Sequence, residues 1–596
     1  MAREKYKDQF ARATAEAFRE VYPDIFKEVG ETEVFDPDVV YDGLAKPKDP
    51  TMGRFAFPVF RYAGLLKDKP PDIAAKVAEA TAWPSGDAIA ISGFLNARID
   101  PVKQSLGVLT EVLTRGSHYA DSDKGKGLTS LVEYSSPNIA KPFGVGHLRS
   151  TIIGHSLRRI YKKLGFTTIG INYPGDWGTQ FGKMIVAYRK WGDEKTLEGN
   201  AVKNLLALYV RYHVEAEKDP GLDSQAREAF QQLEAGDPEA LKLWKTFKEI
   251  SQAEMDRVYG LLGVDFDWVY GESELNDEME PAIKRLEKAG LTSISQGALV
   301  VHLNDEQLPP VLLKKGDGAT LYATRDLAGL LYRWEKYPGF SKSLYVVNTA
   351  QSDHFKQCLK VIEMLEEAEK LPANERMTGR VKHVDFGWVR FAGKTMSTRG
   401  GNTVLLEDVI SEASGLARQK ILEKNPELAT VDETAHMIGV GAVIFSQLSV
   451  RRQRDVDFKW EEVLSFEGET GPYLQYTHAR LCSLMRRYGR EVTPDIDYTL
   501  LNGPEEERVI ELLADFPGVI VDAGEQYEPY FISAHLLKLA GAFNKVYQRK
   551  DADGNIEKII SDNAPLTAAR MALVKAVQLV VGEGLHLLGL EAPQEM

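Results

Sequence analysis

The chain has 596 residues, enough for several independent cores, and its 43% hydrophobic and 27% charged residues match ordinary folded proteins, which excludes a disordered or low-complexity chain. Cys358 and Cys482 are the only cysteines, too few for a disulfide framework or a cysteine-rich zinc site. A net charge of −14 excludes a generally basic nucleic-acid coat, though not a local basic surface such as Arg480, Arg486, Arg487 and Arg490 provide.

The N-terminus, MAREKYKDQFARATAEAF, reads as a charge-studded amphipathic helix without the apolar core of a secretory signal. No stretch approaches the ~18 uninterrupted apolar residues of a membrane span. A cytoplasmic, membrane-free protein is expected. Residues 1–120 read as a small α+β domain that includes the strand-like AIAISGFLNARID, and a Gly/Ser/Lys/Asp-rich linker at Ser122–Gly127 marks its end. Next come a short apolar run, Leu131–Tyr134, a loop, and a helix from about Gly146 to Leu164. Ile153, Leu157, Ile160, Tyr161 and Leu164 repeat there at helical spacing. The β-like run Phe166–Asn172 follows. This β–loop–α–β order predicts a parallel sheet covered by helices. The alternation resumes with a helix at Leu327–Trp334, a strand at Ser343–Val347, a helix at Phe355–Glu369 and a strand at Val381–Trp388.

The predicted fold class is therefore α/β, a Rossmann-like parallel-sheet domain over residues 121–410 with insertions at about 195–265 and 273–320. From about Val409 strand signals nearly vanish, which predicts a helical connector at 411–465 and an all-α domain at 466–596.

The loop Ser135–Ser150 lies between the first strand and its helix. Gly144 and Gly146 let backbone approach a ligand, and the helix start offers free N–H groups and a positive dipole end to an anion. His147 can donate to a phosphate oxygen, and Lys141 can reach the same place. Taken alone, Gly-Val-Gly-His is more often an ordinary tight turn. There is no Walker-type loop.

The run Ser135–Ser150 resembles the HIGH signature of class I aminoacyl-tRNA synthetases in the form found in arginyl-tRNA synthetases. The resemblance continues at Gly175-Asp176-Trp177-Gly178-Thr179-Gln180-Phe181-Gly182, Tyr322-Ala323-Thr324-Arg325-Asp326, Met396-Ser397-Thr398-Arg399 and Gly471–Arg480. Gly93-Phe94-Leu95-Asn96 and the tail Leu588–Pro593 extend it over nearly the whole chain, in order. Two departures stand out. Gly144 occupies the position where the family usually has His, and Thr395-Met396-Ser397-Thr398-Arg399 lacks the lysine of the KMSKS loop. Family members without that lysine commonly carry one upstream of HIGH, which Lys141 matches.

The resemblance implies a HUP-type catalytic domain, an N-terminal domain touching the tRNA body and a C-terminal anticodon-binding domain. It implies ATP with Mg2+, L-arginine and tRNA-Arg as ligands, with no metal held by the protein; a monomer is expected. His147, Lys141, Ser397 and Arg399 would be the catalytic donors, and Gly144, Gly146, His147, Lys394, Met396 and Ser397 would bind ATP. Asn138 and Gln351 would hold the α-substituents of arginine; Glu272, Tyr322 and Asp326 would hold its guanidinium, a planar fork best met by carboxylates. Tyr322 and Asp326, four apart, project from one helix face. Tyr473, Tyr476 and Arg480 would line an anticodon site, because single-stranded bases stack on aromatics and arginine. Another class I synthetase, or an inactive RNA-binding descendant, are the alternatives.

Overall fold

The computed structural model describes residues 5–139, 143–303, 308–316, 321–391, 394–395, 405–459, 463–466, 468–551 and 553–596. Thr129–Glu133, whose last four residues are buried, is central in a five-stranded sheet. A strand buried on both faces reads as a continuous apolar run, which is why Leu131–Tyr134 stands out in the sequence. Its neighbours are Thr167–Asn172 on one side and Lys342–Asn348 on the other, with Trp268–Val269 and Val381–Phe386 at the edges. All pairings are parallel. The spatial order reverses between Thr129–Glu133 and Lys342–Asn348. That is a topological switch point, where ligands of open α/β sheets bind beyond the carboxyl ends of the strands.

Helix Val145–Lys163 packs on this sheet one residue from each predicted end. Its Gly154 is required by distance: a Cβ there would stand 2.1 Å from the Cβ of Tyr134. The first insertion is helical throughout, as expected, with Ala201–Ala216, Gly221–Glu234 and Pro238–Leu262. The second combines helix Asn276–Lys288 with a small antiparallel sheet of Thr292–Ser295, Ala298–Val301 and Val311–Lys314.

Three features differ from the sequence reading. The run AIAISGFLNARID is a hairpin, Gly86–Ile91 and Phe94–Ile99, and not one strand; Ser92 and Gly93 both take positive φ, the conformation of a tight hairpin turn. The connector is not purely helical, since Val456–Phe458 pairs in parallel with Val389–Phe391. Three residues joining a strand that is distant in sequence leave no periodic signal of their own. Helix Ala564–Leu588 is long and apolar enough, by length and composition, to cross a membrane; 67% of its apolar window is buried inside the fold. Arg570, Lys575 and Glu583 interrupt its apolar run, so a search for uninterrupted stretches passes over it.

Helices Gly471–Tyr488, Pro504–Glu525, Tyr530–Tyr547 and Ala564–Leu588 build the C-terminal domain. It packs directly against the outer face of helix Val145–Lys163: Tyr161 donates to the Gly524 carbonyl at 2.7 Å and Ser156 to that of Leu587 at 2.8 Å. The N-terminal domain closes on the same helices through Arg54, 3.3 Å from both Asp515 and Glu511.

Helix propensity alone favours Ala over Gly by ~1 kcal/mol in a helix interior. We expect Gly415→Ala, where the added Cβ meets nothing within 4 Å, to raise the melting temperature. Gly154→Ala, forced against Tyr134, is expected to lower it through an overpacking cost of ~1–3 kcal/mol. Thermal unfolding of the two variants checks the opposite signs.

Candidate functional site

Of the segments that carry the resemblance, the loop after strand Thr129–Glu133 and Gly175–Gly182, which follows strand Thr167–Asn172, lie beyond the carboxyl ends of the strands, at the switch point. Ser135 and Ser136, directly after the first strand, both take positive φ (72° and 46°). Consecutive non-glycine residues in this region are strained and need an enforcing environment. Ser150 supplies part of it, accepting from Ser135 N at 2.9 Å and donating to the Val346 carbonyl at 2.6 Å. Thr151 and the Tyr259 hydroxyl pair with Ser135 Oγ at 2.9 and 2.8 Å.

This turn leads to helix Val145–Lys163, whose cap residue Gly144 is extended and carries no side-chain acceptor for the first N–H groups. Gly146 is exposed with open space where a Cβ would be, and the half-buried His147 ring lies 5.2 Å from Phe143. The positive dipole end and an imidazole therefore meet at an anion-accepting helix start. Leu405 pairs with Gly144 in an antiparallel bridge. Lys141, Met396, Ser397 and Arg399 lie outside the described residues, and Lys394 is described by its backbone alone, in the short strand Lys394–Thr395.

Next to the helix start, a second group of residues is locked by one buried carboxylate. Asp176, with no exposed surface, accepts from Ser273 N and Ser273 Oγ, each at 2.8 Å, and from Lys248 Nζ at 2.6 Å. A Cβ on Gly271 would lie 2.1 Å from that carboxylate, so only glycine permits the approach. The clamp sets Glu272, whose N–H donates to the Pro174 carbonyl at 3.2 Å. The adjoining Gly175 is bridged to Asn138, whose side chain is exposed.

Glu272 lies 3.7 Å from Arg325, the neighbour of Asp326 on helix Tyr322–Lys336. Burial raises the Glu272 carboxyl to about 7; Arg325, 3.7 Å away, opposes the rise while Asp326 and Asp176 add to it. Burial also drives the Tyr173 hydroxyl well above its ordinary range, and Asp326 and Glu272 push it further. The Asp326 carboxylate lies 2.5 Å from His354 Nε2. Beneath them Arg333 pairs with Glu133 at the end of the first strand and donates to the Tyr270 hydroxyl at 2.5 Å, with its guanidinium 4.4 Å from the Tyr345 ring centre. Burial raises the Glu133 carboxyl, and Arg333 works against that rise.

Asn138 is thus bridged to Gly175, next to the Asp176 that clamps the Glu272 loop, while Asp326 lines a cavity with Glu133, Tyr173, Arg333 and His354. Gln351 lies exposed at the head of helix Ser352–Ala368, just past strand Lys342–Asn348. The Tyr322 ring is not gathered with them. It is 69% exposed, at the first position of its helix. Asp176, Glu133, Arg333 and His354 escaped the sequence reading. Asp176 lay inside a matched motif without an assigned role, and the others carry no local pattern.

At the other end of the molecule Tyr473, Tyr476 and Arg480 share a cleft of about 810 Å³ with Phe466, Tyr530 and Lys538. Arg480 donates to Asn544 at 3.1 Å and lies 4.3 Å over the Tyr547 ring. Lys424 Nζ is 5.2 Å from the centre of the Tyr476 ring. Aromatic faces and fixed cations lining one groove suit stacked, anionic single strands.

Residues 108–460 match the family model described as tRNA synthetases class I (R), catalytic domain. Residues 4–99 match the arginyl-tRNA synthetase N-terminal domain, and 474–596 the DALR anticodon-binding domain. The chain is 43% identical over 553 residues to the arginine–tRNA ligase of Clostridioides difficile, covering 92% of this chain and 95% of that protein. It is 44% identical over 556 residues to that of Streptococcus thermophilus, covering 93% and 95%. Among solved structures, Thermus thermophilus arginyl-tRNA synthetase superposes with a TM-score of 0.78 at 25% identity, covering 98% of this chain and all of that one.

A carboxyl whose value is raised to about 7 in the fold, from an ordinary 4.5, binds its proton more tightly folded than unfolded. Its contribution to stability is complete at low pH and declines as pH rises through that window. Glu272→Gln mimics the protonated form, so its melting temperature relative to the parent is expected to climb between about pH 5 and about pH 8. A difference that stays flat with pH would refute the assigned ionisation.

Proposed function

The chain belongs to the arginyl-tRNA synthetase family of class I, and from that premise we propose how its own residues carry out the ligation. The protein is an arginine–tRNA ligase. It joins L-arginine to tRNA-Arg at the expense of ATP.

In the first step an oxygen of the arginine carboxylate attacks the α-phosphorus of ATP. The bond to the β-phosphate breaks, and pyrophosphate leaves as arginyl-adenylate forms. In the second step the 2′-hydroxyl of the terminal tRNA ribose attacks the arginyl carbonyl, and AMP departs. Neither step needs a protein nucleophile; positioning and stabilisation of charge carry both.

We assign the guanidinium to Glu272 and Asp326, and the α-substituents to Asn138 and Gln351. Tyr322 closes the mouth of the pocket when its ring turns inward from its exposed position. The first-turn amides at Gly144–Gly146 and the His147 ring accept the phosphates, and Lys141, Lys394, Met396, Ser397 and Arg399 complete the nucleotide site. Losing one donor to developing charge costs ~10²–10³ in rate. Magnesium enters with the phosphates of ATP. Tyr473, Tyr476 and Arg480 receive the anticodon, and the protein works as a monomer in the cytoplasm.

The observation that carries this reading is the Asp176 clamp that sets Glu272 3.7 Å from Arg325, the neighbour of Asp326, together with the anion-accepting helix start at Gly144. One dicarboxylate pocket next to one phosphate cradle brings a cationic amino acid to a nucleotide. Arginine-dependent exchange of pyrophosphate into ATP, measured with tRNA present, tests it; exchange dependent on another amino acid, or none, would overturn it.

Asp326→Asn retains the side-chain shape but removes the charge. A charge-assisted hydrogen bond contributes ~1.5–3 kcal/mol, so the KM for arginine is expected to rise ~10–100-fold with the KM for ATP unchanged. An unaltered arginine KM would remove Asp326 from the pocket.

A further inference from the structure

Asp326 is only partly buried, with a side-chain exposure of 40%, and it sits one turn into its helix. A carboxylate in such a place turns freely, since the last torsion of Asp is broad. A guanidinium fork binds well only to a carboxylate plane that is already oriented. Something must hold it.

His354 lies where that function is needed. It is the third residue of helix Ser352–Ala368, and its Nε2 is 2.5 Å from Asp326 Oδ2. Among the described residues no other side chain donates to Asp326. The imidazole has little freedom itself. Phe355 stands edge-on to it at 6.0 Å and is itself stacked on His383 at 4.7 Å. One turn on, the buried Cys358 Sγ lies 3.7 Å from the same nitrogen. The ring is therefore flanked by Phe355 and Cys358 and presents Nε2–H to one carboxylate oxygen, Oδ2, which leaves Oδ1 for the substrate.

We propose that His354 is a positioning residue for the amino-acid substrate: by donating Nε2–H to Asp326 it fixes the carboxylate plane in which the guanidinium is received. The inference rests on the reading of Asp326 as a guanidinium acceptor. It adds to that reading a residue that never touches the substrate, and it predicts an effect on ground-state binding of arginine and not on the chemical step.

The test is steady-state pyrophosphate exchange with tRNA present, on the full chain, for His354→Ala, His354→Gln and Asp326→Asn. His354→Ala is expected to raise the KM for arginine about tenfold, leaving kcat and the KM for ATP within about twofold of the parent, the size of one lost hydrogen bond to a charged group. His354→Gln, whose amide can also donate, is expected to recover most of that loss. A packing role predicts otherwise: Ala and Gln would be equally impaired, or kcat would fall with KM, and either result overturns the proposal. An unchanged arginine KM in both His354 variants overturns it too. An unchanged arginine KM in Asp326→Asn instead overturns the underlying pocket assignment, which separates the two failures. Should His354→Ala unfold, His354→Phe, which keeps a ring but cannot donate, takes its place: a raised arginine KM in Phe beside a near-parent KM in Gln supports the proposal, and an unchanged KM in Phe overturns it.

Discussion

The arrangement of the amino-acid pocket depends on one buried carboxylate. Burying a carboxylate is costly unless its lone pairs are filled, and Asp176 is filled from three directions, by Ser273 N, Ser273 Oγ and Lys248. The consequence is geometric. The loop Gly271–Ser273 is drawn against Asp176 until no side chain fits at Gly271, and Glu272 is left with one direction in which to project. The segment that carries Asp176 also carries Gly175, bridged to Asn138, so consecutive residues set the positions of Asn138 and Glu272, the two ends of the proposed arginine site. Lys248 belongs to the inserted helix Pro238–Leu262, as does Trp244, which donates to the Asp176 carbonyl at 2.7 Å. The helical insertion thus braces the pocket from outside the sheet.

The nucleotide side rests on strain and not on a buried charge. Two successive positive-φ serines cost on the order of 1–3 kcal/mol each, and Ser150, Thr151 and Tyr259 hold them in that state. Ser150 and Thr151 lie on the helix whose first turn forms the anion site. The bend that delivers the chain to the helix and the helix that receives the anion are therefore one hydrogen-bonded unit, tied to the next strand through Val346.

The parallel sheet and its helices were legible because continuous apolar strands and a 3.6-residue apolar stripe are local signals. Val145–Lys163 and Lys342–Asn348 fall within a residue or so of their expected bounds. The hairpin at Ser92-Gly93 and the strand Val456–Phe458 were not, because one depends on two φ angles and the other on a partner distant in sequence. The site divides in the same way. Glu272, Asp326, Asn138 and His147 were reachable because a whole-chain resemblance marks them. Asp176, Arg333, Glu133 and His354 act on those residues through tertiary contacts, and a carboxylate or a histidine that acts through another side chain looks, in a sequence, like any other.

The C-terminal domain is joined to the catalytic sheet by more than packing. Arg452 donates to the carbonyl of Asp385, to its carboxylate at 2.5 Å, and to the Tyr527 carbonyl at 3.2 Å, while its own N–H is received by Glu528 at 3.1 Å. Asp385 is the penultimate residue of strand Val381–Phe386, which runs on into Val389–Phe391 and the strand Lys394–Thr395. Tyr527 and Glu528 immediately precede helix Tyr530–Tyr547, whose Tyr530 lines the cleft shared by Tyr473 and Arg480. From the other side the fully buried Arg149, on the phosphate helix, donates to the carbonyls of Gly387 at 3.0 Å and Arg454 at 2.5 Å. Two guanidiniums thus tie three parts together: helix Val145–Lys163, strand Val381–Phe386, and the turn that opens onto the C-terminal cleft. Interiors at crystal-like density transmit strain instead of absorbing it, so a shift of the Tyr527–Glu528 turn must either break the Arg452 bonds or move the end of strand Val381–Phe386 with it.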